Sequence, residues 1–385
     1  MNILLLFLLS YLIINVAYFG LFGIASLIPA KTAVLNTPEK IHTIAVFIPA
    51  YKEDAVIYES ALKATQHNYP SDKLTIAVIA DQLHSETLSA LTNLPIKLIQ
   101  LSAEKSSKSR ALNEALRQLS AHDLAVVLDA DNHMKPGFLH EINNAYALGK
   151  MAMQGQRLAK NAENSHALLD AISEGINTNI FRKGHQQLGL SSALVGSGMA
   201  FDFQLFKEHM SQIEALGGFD KELELSILKE HIKITFLPEA QILDEKVSSN
   251  KSFSNQRTRW IAAQIKYGIQ AILPATKALV LHQNIDYFDK AFQFLLLPRL
   301  LLLGALGTAT IASLLLFSAA LNSLLILTAC YIGVLIISTP KDYLRLSNTK
   351  YLLALPQLFL SMLVAIAGYK KAKNNFLHTS HTKTN

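Results

Sequence analysis

The N-terminal segment fixes the environment of this chain more firmly than any other feature. Residues 3–28 carry no charged side chain, and about 20 apolar residues are enough to cross the hydrocarbon core of a bilayer. A cleaved signal peptide is the alternative, but such peptides begin with a basic region, and no basic residue precedes this run. We therefore expect a retained transmembrane anchor within residues 1–30.

Apolar segments return in the C-terminal third, where a membrane region is expected over residues 293–370. Residues 295–317 and 321–338 each have the length and composition of a membrane span. A third segment, 351–369, has basic residues on both sides, and the positive-inside rule would place both sides in the cytoplasm. This segment is therefore expected to lie in the membrane plane or to re-enter it. The side of the membrane on which the polar tail at 371–385 lies stays open.

The composition agrees with a membrane protein and argues against other classes. Hydrophobic residues make up 50% of the chain and charged residues only 17%, with a mean hydropathy of +0.26, whereas about 25% charged residues is usual. The net charge of +6 does not predict nucleic-acid binding, because the basic residues are dispersed and many flank apolar segments. The single cysteine, Cys330, excludes a disulfide framework within one chain.

Between the membrane segments, residues 42–270 alternate short apolar runs with helix-length segments. Four runs are rich in β-forming residues: 43–48, 74–80, 96–101 and 124–128. Apolar strands joined by helices predict an α/β domain with a mostly parallel sheet that is covered on both faces. Ligands bind such sheets beyond the carboxyl ends of the strands. Residues 271–292 mix apolar and basic side chains and are expected to form interfacial helices on the inner membrane face.

Polar residues directly follow three of these runs. Residues 49–53 (PAYKE) follow the first run, Asp81 follows the second, and Asp129-Ala130-Asp131 follows the fourth. Two carboxylates at this spacing repel each other unless water or a divalent cation screens them. A bound Mg²⁺ or Mn²⁺ could hold a diphosphate there and stabilise it as a leaving group. The alternative is that Asp129 and Asp131 only cap the following turn.

The order of motifs along this block resembles that of one enzyme family. The series is FIPAYKE, VIADQ, KSRALNEAL, VVLDADN, VGSGMAF, FLPEA and QRTRW. It is similar to the motifs of inverting family 2 glycosyltransferases with the GT-A fold, and within them to the membrane-embedded cellulose, chitin, hyaluronan and poly-N-acetylglucosamine synthases. The match covers about residues 43–260.

This resemblance implies an integral protein of the cell (inner) membrane with a cytoplasmic GT-A domain. The implied reaction is metal-dependent, inverting transfer of a hexose or N-acetylhexosamine from a nucleotide donor, UDP first among them, to a growing polysaccharide. Membrane lipids and export subunits are implied partners. Two alternatives stay open: transfer of one sugar to a lipid-linked acceptor, or a catalytically degenerate membrane scaffold.

The resemblance also assigns roles to individual residues. The donor would be bound by Ala50, Tyr51, Glu53, Asp81, Lys108, Asp129 and Asp131, with Asp131 as the principal metal ligand beside Asp129. The acceptor and the diphosphate would be held by Gly196, Ser197, Gly198, Gln256, Arg259 and Trp260. The last three share one helical face at i, i+3 and i+4. The alternatives are a solvated helix start for Lys108, a plain turn for the glycines and an interfacial anchor for Trp260.

The catalytic base is where the chain departs from the family pattern. An inverting transfer needs a carboxylate that accepts the proton of the acceptor hydroxyl. The family uses the aspartate of an E-D pair, and residues 217–226, which stand in its place, contain no such pair. If the length of the following helix is counted back from Pro238, Asp220 stands at the position of the family's aspartate. If the local sequence L-E-L-S is matched instead, Glu222 stands there. We prefer Asp220 because helix length fixes geometry. Its structural alternative is the N-cap of the same helix.

Overall fold

The computed structural model describes residues 3–29, 40–101, 106–161, 165–215, 217–246, 250–316, 319–345 and 353–367. The polar tail expected at 371–385 lies outside the described residues, as does the end of the third C-terminal segment. Within these ranges an α/β domain packs beside a group of apolar helices.

Eight strands form one mixed sheet in the described part of the chain. They are β1 (Ile44–Tyr51), β2 (Leu74–Asp81), β3 (Lys97–Leu101), β4 (Leu124–Val127), β5 (His133–Met134), β6 (Ala152–Ala159), β7 (Met199–Asp202) and β8 (Ile234–Asp244). Their spatial order is β3-β2-β1-β4-β7-β6-β8-β5. Strands β3, β2, β1 and β4 are parallel, as are β6 and β8, whereas β7 is antiparallel to β4 and β6. The four expected runs are β1 to β4, and the mostly parallel α/β sheet is confirmed.

One edge of the sheet collects the carboxyl ends of β1, β2, β4, β6 and β8. Tyr51 pairs with Asp81 at the ends of β1 and β2, and Ala159 pairs with Asp244 at the ends of β6 and β8. Because β7 runs antiparallel to β4, its first residue, Met199, pairs with the last residue of β4. The loop before β7 therefore reaches the same edge as the strand ends.

Helices cover both faces of this sheet. They are α2 (Ile57–Thr65), α3 (Ser85–Thr92), α4 (Lys108–Gln118), α5 (Phe138–Ala147), α6 (Ser165–Thr178), α7 (His185–Gln187), α8 (Phe203–Ser211), α9 (Phe219–Lys229), α10 (Asn250–His282) and α11 (Ile285–Gln293), with a π-helical turn at Asn179–Gly184. Alternate residues of β1 enter opposite cores. Phe47 lies in the core built from α4, α8 and α9, whereas Val46 and Ile48 lie in the core with α2 and α5. Each apolar side chain contributes about 1.5–3 kcal/mol when it is fully buried, so a strand with two covered faces is apolar throughout.

Helix α10 crosses the boundary that the sequence places at residue 270. It continues through Pro274, and its buried Ala271 and Ala275 belong to the same core as β1, α4 and α9. The segment expected as separate interfacial helices, 271–292, therefore packs on the α/β domain.

Four apolar helices in the described part lie beside this domain: α1 (Ile3–Ala25), α12 (Arg299–Leu315), α13 (Leu321–Ser338) and α14 (Leu355–Ala367). Two of them contain stretches long and apolar enough to cross a membrane, Leu6–Ala25 and Leu321–Ser338, whereas the apolar parts of α12 and α14 are shorter. Helix α12 starts after Pro298 rather than at residue 295. Pro298 is its N-cap, and a residue that precedes a proline is disfavoured in helical conformation.

Candidate active site

A cavity of about 1170 Å³ lies at the carboxyl edge of the sheet and extends between the apolar helices. Its polar end is lined by Ala50, Tyr51, Glu53, Asp81, Lys108, Asp129, Asp131, Gly196, Asp220, Asp244, Gln256, Arg259 and Trp260. Of the residues singled out from the sequence, Ser197, Gly198 and Glu222 do not border it. The others surround one space.

The ends of β1 and β2 form one wall of the polar end. Ala50 and Asp81 are almost fully buried, and Glu53 is 8% exposed. Ser106 donates a hydrogen bond to Oδ2 of Asp81, whereas Oδ1 is buried without a hydrogen-bond partner among the described residues. A buried acceptor without a donor costs free energy, so Oδ1 is suited to accept a hydrogen bond from a ligand.

Asp129 is fixed just beyond β4 by contacts from two other elements. Its backbone N–H donates to Oγ of Ser197 at 3.0 Å, and its carboxylate forms an ion pair with Nζ of Lys108. The same ammonium group donates to the carbonyl oxygen of Gly196 at 2.7 Å. Lys108 is the first residue of α4, whose N-cap is Ser107. This places a cation at the cavity wall, where it can meet a negatively charged ligand.

Three carboxylates, from Asp129, Asp131 and Asp244, have oxygens within 4.8 Å of one another. Asp131 is 2% exposed, and its Oδ2 accepts a hydrogen bond from the backbone N–H of Glu245 at 2.9 Å. Nδ2 of Asn132 donates to both Asp131 and Asp244, at 3.2 Å each. Carboxylate oxygens are the preferred ligands of Mg²⁺ and Mn²⁺, so this donor set fits a divalent cation.

Asp244 is the member of this cluster that was not predicted from the sequence. Nη2 of Arg157 lies 2.6 Å from its carboxylate, and Nζ of Lys246 lies 2.8 Å away. Burial alone would raise the pKa of Asp244, but the charges of Arg157 and Lys246 outweigh burial and hold it well below its ordinary value. The sequence does carry a signal for it, because Asp244 directly follows an apolar run in QILD, as Asp81 does at the end of β2.

The glycine loop before β7 supports the cluster from behind. Gly196 and Gly198 have φ values of +83° and +63°, a conformation that favours glycine. Ser197 is fully buried, and its hydroxyl donates to Oδ1 of Asn132. A Cβ added at Gly198 would lie 2.8 Å from Cδ1 of Ile242. Only Gly196 of the three faces the cavity, whereas Ser197 and Gly198 hold the loop against its neighbours.

The two candidates for the base lie in different surroundings. Asp220 borders the cavity, and its Cγ lies 3.8 Å from the point that a Cβ added at Gly196 would occupy. Glu222 instead accepts a hydrogen bond from the hydroxyl of Tyr267 at 2.7 Å. The N-cap of α9 is Gly218, so Asp220 is not the N-cap.

The N-terminal part of α10 supplies a further wall of the polar end. Gln256, Arg259 and Trp260 all border the cavity. The guanidinium of Arg257 lies 4.2 Å from the centre of the Trp260 ring, which is a cation–π geometry. Burial lowers the pKa of Arg259, and the charge of Asp129 opposes that shift. Trp260 is 38% exposed, so part of its ring stays accessible.

The other end of the cavity is an apolar space between α1, α6, α12, α13 and α14. Its apolar lining includes Phe19, Leu169, Ile172, Ile176, Leu300, Leu303, Ile332, Leu335, Leu358 and Met362. The polar and apolar ends belong to one continuous cavity. Such a space can take the hydrocarbon part of an amphipathic molecule while its polar end lies among the carboxylates.

Comparisons with known proteins agree with this architecture. A family model described as "Glycosyltransferase like family 2" matches residues 42–263. Two β-monoglucosyldiacylglycerol synthases, from Trichormus variabilis and a Nostoc species, are each 24% identical over 233 residues, 56% of this chain and 48% of theirs. The chain thus spans about half the length of these relatives. Among solved structures, the mannosyltransferase PcManGT of Pyrobaculum calidifontis, in complex with GDP-Man and Mn²⁺, is 18% identical with a TM-score of 0.56. That alignment covers 95% of this chain and 100% of PcManGT. The shared fold is the GT-A fold.

Proposed function

This chain belongs to the glycosyltransferase-like family 2, and on that premise we propose that it transfers one sugar from a nucleotide-sugar donor to the headgroup of a membrane lipid. The observation that carries the proposal is the continuous cavity, which joins the polar strand-end site to an apolar space between helices. Apolar walls would stabilise lipid chains by about 25 cal/mol per Å² of buried apolar surface. A water-soluble acceptor has no such surface to bury.

The polar end is suited to the donor. The unpartnered Oδ1 of Asp81 offers an acceptor to a nucleoside, next to Ala50, Tyr51 and Glu53 in the same wall. Lys108 and Arg259 supply positive charge for a diphosphate. UDP-sugars are the donors that we propose first, and GDP-mannose, with which PcManGT was solved, is the second.

The acidic cluster is suited to Mg²⁺ or Mn²⁺. Asp131 and Asp129 would hold the ion, with Asp244 as a third carboxylate within reach. The bound ion would neutralise charge on the diphosphate and so favour its departure. Arg157 and Lys246 keep Asp244 ionised, so the chain's own cations keep this carboxylate available as a ligand. PcManGT, which shares the fold, was solved with Mn²⁺.

Asp220 is our proposed base in a single displacement. A hydroxyl oxygen of the acceptor attacks the anomeric carbon of the donor sugar. The bond between that carbon and the diphosphate oxygen breaks, and the nucleoside diphosphate leaves. The carboxylate of Asp220 accepts the hydroxyl proton. One displacement inverts the anomeric configuration. The position of Asp220 in the cavity wall beside Gly196 supports this assignment over Glu222.

The apolar helices are proposed to lie in the inner membrane, with the α/β domain on its cytoplasmic side. Large apolar side chains are exposed on all four helices, such as Phe7 (71%), Leu314 (57%), Ile326 (66%) and Leu360 (60%). Leu273 on the outer side of α10 is 78% exposed. Apolar surface of this extent marks a surface that a membrane or a partner covers.

The relatives support a lipid rather than a polymer as the product. Both are β-monoglucosyldiacylglycerol synthases, a name that specifies a glucosylated lipid. The polysaccharide product that the motif series implies is the alternative outcome of the experiment that follows.

The test is a donor panel offered to the purified full-length chain in lipid nanodiscs with Mn²⁺. Labelled UDP-glucose, UDP-galactose, UDP-N-acetylglucosamine and GDP-mannose are supplied in turn, and the products are extracted into organic solvent. We expect label to enter the organic phase as a lipid with one sugar, together with an equal amount of nucleoside diphosphate. Asp131→Asn is expected to abolish both. Label in a water-soluble polymer would overturn the lipid assignment, and no turnover with any donor would support the scaffold alternative.

A further inference from the structure

We infer that the cavity holds a second anion site, apart from the diphosphate end, that binds the phosphate of an anionic lipid acceptor. The site is formed by Arg299, Arg182 and Arg257 together with the N-terminus of α12. The inference rests on the proposed function, because it specifies the headgroup of the lipid that the apolar end would take.

Ion pairs account for two of the three guanidinium groups of this site. Nη1 of Arg182 lies 2.8 Å from the Glu174 carboxylate, and Nη2 of Arg257 lies 2.5 Å from that of Asp170. Arg299 is instead hydrogen-bonded to neutral atoms. A buried charge without a counter-charge is strongly unfavourable, so the surroundings of Arg299 favour an additional anion.

The guanidinium of Arg299 is held by an uncharged residue, Ser173. Its Nη2 donates to O and Oγ of Ser173, at 2.7 and 2.9 Å. No ion pair joins it to a carboxylate within the described ranges. Its side chain borders the cavity, so its charge is available to a ligand there.

Arg182 adds a buried donor to the same region. Arg182 is 1% exposed, and its Nη1 forms an ion pair with Glu174. Its Nε is buried without a hydrogen-bond partner in the part of the chain that is described. Burial alone would raise the pKa of Glu174, but Arg182, Arg157 and Lys246 lower it to about 2. The field in this part of the molecule therefore favours negative charge.

The N-terminus of α12 opens into the same part of the cavity. Pro298, Arg299 and Leu300 all border the cavity, and no side chain caps this 17-residue helix. The first N–H groups of a helix have no acceptor within the helix, and an anion is stabilised there by those donors and by the helix dipole. An uncapped helix start and a guanidinium thus point to the same ligand chemistry.

The position distinguishes this site from the one for the donor diphosphate. Lys108 and Arg259 serve the strand-end region, whereas Arg299 lies where the apolar lining of α12 and α14 begins, with Leu303 and Leu358. A phosphate bound at Arg299 would place acyl chains among the apolar helices. A hydroxyl on the far side of the phosphate would then extend toward the polar end of the cavity.

The test compares two lipids that share acyl chains and a free hydroxyl but differ in phosphate. The full-length chain is reconstituted in phosphatidylcholine nanodiscs that contain equal small amounts of phosphatidylglycerol and diacylglycerol, and the retained lipids are measured by native mass spectrometry. We expect preferential retention of phosphatidylglycerol, and a loss of that preference by about tenfold in Arg299→Gln, because a hydrogen bond to a charged group is removed. Arg299→Lys, which keeps the charge, should retain most of it. Arg117→Gln, at a side chain 69% exposed, is the matched control and should behave as wild type.

Equal retention of the two lipids by the wild-type chain would overturn the inference, and this comparison does not depend on whether a variant folds. Displacement of phosphatidylglycerol by an equal concentration of inorganic phosphate would show a free-anion site and overturn the lipid assignment. Selective retention without sugar transfer to any lipid would support this site and refute the proposed function. Sugar transfer to diacylglycerol, together with equal retention of the two lipids, would support the proposed function and refute this site.

Discussion

Asp220 and Glu222 stand two positions apart on α9, yet only Asp220 borders the cavity, while Glu222 is bonded to Tyr267. We expect Asp220→Asn to lower the rate of sugar transfer by about 10²–10⁴-fold, the usual contribution of a general base. Glu222→Gln, which keeps an oxygen acceptor for Tyr267, should change the rate by less than about tenfold. Initial rates of labelled-sugar transfer at saturating donor decide between them. A larger loss of rate in Glu222→Gln than in Asp220→Asn would show that Glu222 is the base, as the match to L-E-L-S suggested.

Asp244 provides a second test among individual side chains. Its carboxylate lies within 4.8 Å of those of Asp129 and Asp131. Asp244→Asn removes one negative charge from the proposed ion site and leaves Arg157 and Lys246 without their shared partner. We expect the Mn²⁺ concentration for half-maximal activity to rise by about 10–100-fold, as for other losses close to a metal. A Mn²⁺ titration of the chelator-treated enzyme measures this, and an unchanged midpoint would exclude Asp244 from the site.

Individual residues of the candidate site were predictable where one local rule was sufficient. Asp81, Asp129 and Asp131 follow apolar strands, and the rule that parallel strands deliver their ends to one edge brought them together. Asp244 obeys the same rule but lies between the motifs FLPEA and QRTRW, in neither of them. The burial of Ser197 behind Asn132 could not be read from the sequence, because it depends on the pairing of β7 with β4.

Among the helices, α6 and the π-helical turn that follows it are linked by a buried ion pair between Glu174 and Arg182. The pKa of Glu174 is about 2 in the folded chain, against an ordinary value of 4.5, so the unfolded state takes up its proton first as the pH falls. The stabilisation is therefore complete above about pH 4.5 and is lost progressively toward about pH 2. Glu174→Gln should lower the free energy of unfolding by about 3–5 kcal/mol at pH 7, because it leaves Arg182 buried without its partner.

Thermal unfolding of wild type and Glu174→Gln in detergent, at pH 7 and at steps from pH 5 to pH 3, measures both effects. The difference between the two proteins should shrink as the pH falls. A constant difference would mean that Glu174 is not ionised in the folded chain.

The elements themselves were predictable to different degrees. Strands β1 to β4 are apolar on both faces and were visible as continuous runs. The two-residue β5 and the four-residue β7 are too short to give a periodic signal. Helix α10 continues through Pro274, although a proline usually interrupts a helix. Its packing of Ala271 and Ala275 into the domain core is a tertiary effect that local propensity does not contain.

For the molecule as a whole, the proposal that the apolar helices lie in a bilayer has a simple consequence. Leu6–Ala25 and Leu321–Ser338 are long enough to span it, so the protein should stay in the membrane pellet through high salt and alkaline carbonate and leave it only with detergent. Sedimentation of cell membranes after each wash, followed by immunoblotting, measures this. Release by carbonate alone would mean that the helices pack against protein rather than lipid.

The order of motifs was enough to predict the family and the fold, but not the acceptor. The apolar end of the cavity is built from segments far apart in the sequence, including Phe19, Ile172, Leu303, Ile332 and Met362. No single segment shows that these side chains line one space with Asp220. The motif series therefore suggested a polymer, whereas the lipid acceptor that we propose rests on the assembled cavity and on the relatives.

Blocking the apolar end while leaving the polar end intact examines whether one cavity serves both substrates. Leu303 on α12 borders the cavity, whereas Leu314 on the same helix is 57% exposed and is the matched control. We expect Leu303→Trp to lower sugar transfer to lipid by about tenfold or more, with unchanged affinity for the nucleotide donor. Leu314→Trp should match wild type in both. Thermal unfolding accounts for the cost of about 1–3 kcal/mol that overpacking brings. Transfer to lipid at the wild-type rate by a folded Leu303→Trp would contradict an acceptor path through the apolar helices.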